Sequence, residues 1–149
     1  MSHYMRYIVV DEQPVGPGEL EKALVSSDPI YAVEPDESAA TVTVLYGDAA
    51  AAQIEINVPG DGLFDQELDY LRRDVLATDD GTARERVLAT LDTARGIVAA
   101  QVLPGTYDEH DAPTRLDPLW QWLFANRKGL LQADGEGYYD GLGLVLRVG

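Results

Sequence analysis

Between residues 41 and 58, apolar and polar side chains alternate with a period of two. In Thr41-Val42-Thr43-Val44-Leu45-Tyr46, one face carries Val42, Val44 and Tyr46. In Ala52 to Val58, one face carries Ala52, Ile54, Ile56 and Val58, and the other carries Gln53, Glu55 and Asn57. This predicts two strands that pack on a core through one face only, joined by a turn at Gly47-Asp48. The polar face then points to solvent or to a partner. A slip of one residue would bury Glu55, so the register is strongly specified. Ile97 to Leu103 is apolar at both parities, as a central strand covered on both faces would be. Met5 to Val10 and Ile30 to Val33 read as further short strands.

The helical period appears in four places. Glu19 to Val25 sets Leu20 and Leu24 one turn apart, with Glu19 and Glu21 at the positive end. Phe64 to Ala77 puts Leu68, Leu71 and Val75 on one face. Thr82 and Glu85 form a capping box ahead of Val87, Leu88 and Leu91, in a helix that should end at Gly96. Asp117-Pro118 reads as an N-cap with proline at the first helical position, opening a stripe of Leu119, Trp120, Leu123 and Phe124 that Gly129 ends with a left-handed residue. A short apolar run, the loop Asp134 to Gly137, Tyr138 and Tyr139, a turn at Asp140-Gly141 and the strand Leu142 to Val148 follow. Pro104 to Arg115 is a polar loop. The order predicts a single α+β domain over 1–149, with a mostly antiparallel sheet and helices packed on one face. It matches a ferredoxin-like βαββαβ plan with a helix-hairpin appended.

Charge narrows the partners. Of 149 residues, 26 are Asp or Glu and 11 are Lys or Arg, a formal charge of -15. Such a field repels a phosphate backbone, which argues against nucleic acid. The acidity reflects a high-GC genome or salt adaptation, or it marks a surface that meets a basic partner. The chain has no cysteine, which removes disulfides and thiolate metal sites and fits a reducing compartment. No apolar run approaches the roughly 18 residues of a membrane span, and Tyr7 to Val10 is too brief for a signal-peptide core. A cytoplasmic location is the default.

The segments Ile54 to Phe64, Gly96 to Leu103, and Leu116-Asp117-Pro118-Leu119-Trp120 through to Asp140 resemble blocks of uncharacterised bacterial proteins. The resemblance implies a bacterial cytoplasmic protein and no functional residue.

Candidate chemistry is sparse. Asp134, Glu136 and Asp140, interleaved with glycines, could hold a hard cation such as calcium or magnesium, although the spacing is not that of an EF-hand; otherwise they form a solvated hairpin loop. Glu136 with Tyr138 or Tyr139 could act as an acid–base pair if burial shifted the carboxyl. Glu109, His110 and Asp111 form a weaker cluster. Serine-triad elbows, dinucleotide loops and phosphate loops are missing from the sequence, and no metal or cofactor is expected. Trp120 and Trp122 stand about 200° apart on their helix. Either the helix is wedged between two layers, or Trp122 meets a partner, a homodimer being one form of such contact.

These features point to a non-enzymatic binding or protein-interaction module for a protein or small-molecule partner. The alternative is an enzyme using Asp134, Glu136 and Asp140, with or without a divalent cation. Counterions should relieve the self-repulsion of a chain at -15. The melting temperature is therefore expected to rise between about 10 mM and about 300 mM sodium chloride, over which screening steepens. A flat curve would show acidic groups that are already paired or well spread.

Overall fold

The computed structural model describes residues 3–37, 40–79, 81–103 and 113–149. Strands β1 (His3–Val9), β2 (Tyr31–Pro35), β3 (Thr41–Tyr46), β4 (Ala49–Asn57), β5 (Gly96–Val102), β6 (Gly129–Ala133), β7 (Gly137–Asp140) and β8 (Gly143–Arg147) form one sheet. Their order is β2-β3-β4-β5-β1-β6-β7-β8, and every neighbouring pair is antiparallel. Four helices accompany them: α1 (Pro17–Ser27), α2 (Phe64–Leu76), α3 (Thr82–Asp92) and α4 (Asp117–Asn126), the last preceded by a 3₁₀ turn at Pro113–Leu116. The α+β class and the antiparallel sheet follow the sequence reading.

The helices lie on both faces of the sheet, not on one. Odd-numbered side chains of β1 (Met5, Tyr7, Val9) join Leu20 and Leu24 of α1 and Leu119, Trp120 and Leu123 of α4 in one cluster. Ile8 points the other way and joins Phe64, Leu71 and Val75 of α2 and Val87 and Leu91 of α3 in a second. The cause is in the strands. β1, β5 and β6 carry apolar residues at both parities, so each needs cover on two sides. β3 and β4 alternate and are covered on one side only; no residue of β2, β3 or β4 belongs to the second cluster. Among the described residues, that half of the second face carries no apolar cover.

The strand order also departs from the ferredoxin-like plan. β5 lies between β4 and β1, and β6 takes the other side of β1. The terminal helix-hairpin is not an appendage, because β6, β7 and β8 continue the same sheet. Gly129 shows why β6 can lie there. A β-carbon at this position would sit 1.9 Å from the carbonyl oxygen of Ile8, so only glycine permits the approach. It was expected to end α4 in a left-handed turn. Instead α4 closes at Asn126 with Arg127 extended, and Gly129 opens β6 opposite Val9.

Two helix ends differ from expectation. Gly81, not Thr82, stands at the N-cap of α3, and no side chain caps it. The helix stops at Asp92 rather than near Gly96, because the backbone N–H of Arg95 donates to the carbonyl of Val9 (2.7 Å) as β5 begins. In β4, Ile54 and Ile56 are buried and Gln53 is exposed, as alternation requires, while Val58 is half-buried. Asn57 was expected on the wet face and is buried instead. With its amide nitrogen turned to the carboxylates, it donates to Glu55 Oε1 (2.6 Å) and Asp61 Oδ2 (3.3 Å). Asp61 in turn accepts from the N–H groups of Val58, Leu63 and Phe64 and fixes the entry to α2.

The tryptophans separate as their 200° offset demands. Trp120 is 3% exposed, whereas Trp122 is half-buried at the edge of the first cluster. Trp120→Ala should cost about 3–5 kcal/mol, the range for deleting a buried ring. Trp122→Ala should cost clearly less. Urea melts of the two variants decide this; equal losses would mean that α1 encloses Trp122 as fully as the sheet encloses Trp120.

Candidate functional site

The bare half of the second face is paved with polar side chains in two rows across the strands. Tyr4 of β1 lies opposite Gln101 of β5, Gln101 opposite Gln53 of β4, Gln53 opposite Thr43 of β3, and Thr43 opposite Glu34 of β2. One pleat further on, Gln132 of β6 lies opposite Arg6, Arg6 opposite Ala99, Ala99 opposite Glu55, and Glu55 opposite Thr41. The start of α2, with Leu63, Gln66 and Glu67, stands beside these rows and makes one wall of a trough of about 280 Å³. Its floor offers carboxamides and carboxylates and, among the described residues, no cation.

Arg6 anchors the closed end. Only 7% of it is exposed. Its Nε donates to Glu67 Oε1 (2.5 Å), and its Nη1 donates to Gln132 Oε1 and Asp134 Oδ1 (2.8 Å each). Gln132 Nε2 also donates to Asp134 Oδ1 (2.9 Å). The guanidinium carbon lies 5.5 Å from the Tyr4 ring centre and 5.9 Å from that of Tyr70, within cation–π range. Burial opposes the charge on Arg6, but the hydrogen bonds and Coulomb attraction of Glu67 and Asp134 outweigh it and hold the guanidinium above its ordinary value. Arg6 thereby ties the middle of the sheet to α2 and to the β6–β7 turn.

The sequence-selected carboxylates do not assemble into one centre. Asp134 turns to Arg6. Glu136 accepts a hydrogen bond from the Tyr139 hydroxyl (2.7 Å). Asp140 pairs with Arg86 (3.0 Å) and accepts from the N–H groups of Leu142 (2.8 Å) and Gly143 (3.1 Å). The backbone of Leu142 and the side chain of Arg86 hold the Asp140 carboxyl below its usual range. Among the described residues, no group of three or more His, Asp or Glu could hold a metal ion. Of the two tyrosines, Tyr139 makes the pairing with Glu136. Tyr138 is buried, and its hydroxyl has no partner among the described residues. Glu109, His110 and Asp111 lie outside the described residues.

Trp122 borders a second groove, with Glu19 and Lys22 of α1 and with Asn126 and Arg127. Arg127 is the structural counterpart of Arg6 on the opposite face. Its guanidinium donates twice to Glu19 (2.8 and 3.0 Å), once to Asp11 (3.3 Å), and to the carbonyls of Gln13 (2.7 Å) and Pro14 (2.9 Å). All five N–H donors are used, so this cation holds the 11–14 loop in place and is not available to a ligand.

Sequence reasoning passed over Arg6. Its signal was a charged residue between Met5 and Tyr7 in an otherwise apolar strand, which must be paired if buried. No protein-family model, curated protein or solved structure matches this chain. These comparisons therefore carry no residue role to it. Among the described residues, no helix is long and apolar enough to cross a membrane.

Arg6→Met should destabilise by about 1–3 kcal/mol, since it removes the charged hydrogen-bond partner of Gln132, Glu67 and Asp134 while leaving two carboxylates that are still partly hydrated. The triple variant Arg6→Met, Glu67→Gln, Asp134→Asn should recover most of that loss, because no unpaired charge remains. Chemical denaturation of both checks it. A triple variant as unstable as the single would show that Arg6 acts through packing of its stem rather than through charge.

Proposed function

We propose that this protein is a non-enzymatic binding module whose bare polar half-sheet receives a basic segment of a partner protein. The observation that carries the reading is the pair of cross-strand polar rows that α2 and α3 leave uncovered. The face is concave, walled by α2 and rich in carboxamides, which hydrogen-bond in both directions. Glu34 and Glu55 give it negative charge, and Arg6 beside it is already answered by Glu67 and Asp134, which suits lysine and arginine side chains. The -15 charge of the chain steers such a partner from a distance. Separate engagement of Asp134, Glu136 and Asp140 supports binding over carboxylate catalysis, since acid–base work needs carboxyls that converge on one reacting atom.

Titration with a lysine- and arginine-rich peptide, followed by backbone amide shifts, tests this. Shifts are expected to centre on Gln53, Glu55 and Gln101. Gln53→Lys and Glu34→Lys, both at exposed positions, should each weaken binding several-fold. Exposed substitutions change stability by about 0.5 kcal/mol or less, so the melting temperature should barely move. Shifts spread evenly over the acidic surface, or unchanged affinity in both variants, would overturn the proposal.

A further inference from the structure

On the opposite face of the sheet, α4 leaves a hollow of about 330 Å³ over β6 and β7. Its walls are Met5, Trp120, Phe124, Leu131 and Ala133, and its rim carries Asp117, Glu136, Tyr139 and Asp140. Two of the carboxylates selected from the sequence thus meet here, although not as a metal centre. We propose that this hollow binds a small organic monocation: an apolar body of aromatic or aliphatic carbon bearing one ammonium group.

Two features specify that ligand. The first is shape and polarity. An apolar pocket with a few convergent polar groups at its mouth is the usual form of a small-molecule site. The second is charge. Asp117, Glu136 and Asp140 give the rim three carboxylates. Arg86 pairs with Asp140, which leaves the carboxylates in excess and suits the rim to an ammonium group.

The rim is also organised for contact. The Tyr139 hydroxyl donates to Glu136 Oε1, which orients the carboxylate and leaves its second oxygen and the tyrosine lone pairs for an ammonium. The site uses none of the residues of the polar trough, so it stands whether or not the trough binds a peptide.

The test uses the whole chain with 2-phenylethylamine and cyclohexylmethylamine as probes, read by tryptophan emission and by calorimetry. The neutral 2-phenylethanol serves as control, with sodium chloride matched for ionic strength. Saturable binding of at least one amine is expected, with the alcohol at least fivefold weaker. Glu136→Gln, at an exposed position, should weaken the amine at least fivefold and leave the alcohol unchanged. Gln121→Trp, at an exposed helical position bordering the hollow, should block both while the fold is retained. Saturation by neither amine overturns the proposal. So do equal affinities for amine and alcohol, or a Gln121→Trp variant that binds as the natural chain does. Loss of the trough's peptide binding, with amine binding intact, would sink only the trough reading.

Discussion

A single buried charge in the middle strand is the constraint to which the rest of the sheet answers. Arg6 lies on β1, between β5 and β6, with almost none of its surface in water. Taking a guanidinium out of water costs several kcal/mol unless it is paired. The partners come from far along the chain: Glu67 is 61 residues away and Asp134 is 128. Satisfying Arg6 therefore fixes α2 over β1 and the β6–β7 turn beside it in one step. Ala99 on the neighbouring strand contributes little bulk at this point. The result is a boundary. On one side of Arg6 the second face of the sheet is apolar and roofed by helices; on the other it is polar and, among the described residues, without apolar cover.

That boundary explains which parts of the fold could be read from the chain. The β3–β4 hairpin was readable because its environment changes with every residue, one side core and one side water. β5 was readable because both parities are apolar. The helix α4 announced itself through Asp117-Pro118, although Asp117 proved to be its first residue, with Leu116 at the cap position. Coverage of the whole sheet was not readable. Alternation in one hairpin says how many faces that hairpin buries, and nothing about strands that it does not touch. Gly129 misled for a related reason. A glycine after a helix and a glycine beneath a carbonyl look alike in sequence, and only the approach of Ile8 distinguishes them.

The candidate sites divide in the same way. Glu136, Tyr139 and Asp140 were visible as a cluster because they are close in sequence. Their roles were not, since each is set by something distant: Arg86 for Asp140, and the walls supplied by Met5 and α4 for Glu136. The trough was half visible. Gln53 and Glu55 stood out on the wet face of a strand, but Tyr4, Gln101 and Glu67 reach it only through strand pairing and the placement of α2. Local pattern reveals which side chains are free to recognise something. Long-range pairing decides which of them come together.

The strand order has a consequence in time as well as in space. The β2-β3-β4 meander and the β6-β7-β8 meander each pair neighbours in the chain, and such local contacts close quickly. β1 is different: its two partners lie at residues 96–102 and 129–133. During synthesis it is made before either of them and must wait for both. Throughout that interval a segment apolar along one face, with an unpaired arginine on the other and both hydrogen-bonding edges open, is presented to whatever surrounds the growing chain. The strand that ends as the most protected in the molecule is the one that spends longest unprotected while the molecule is being made.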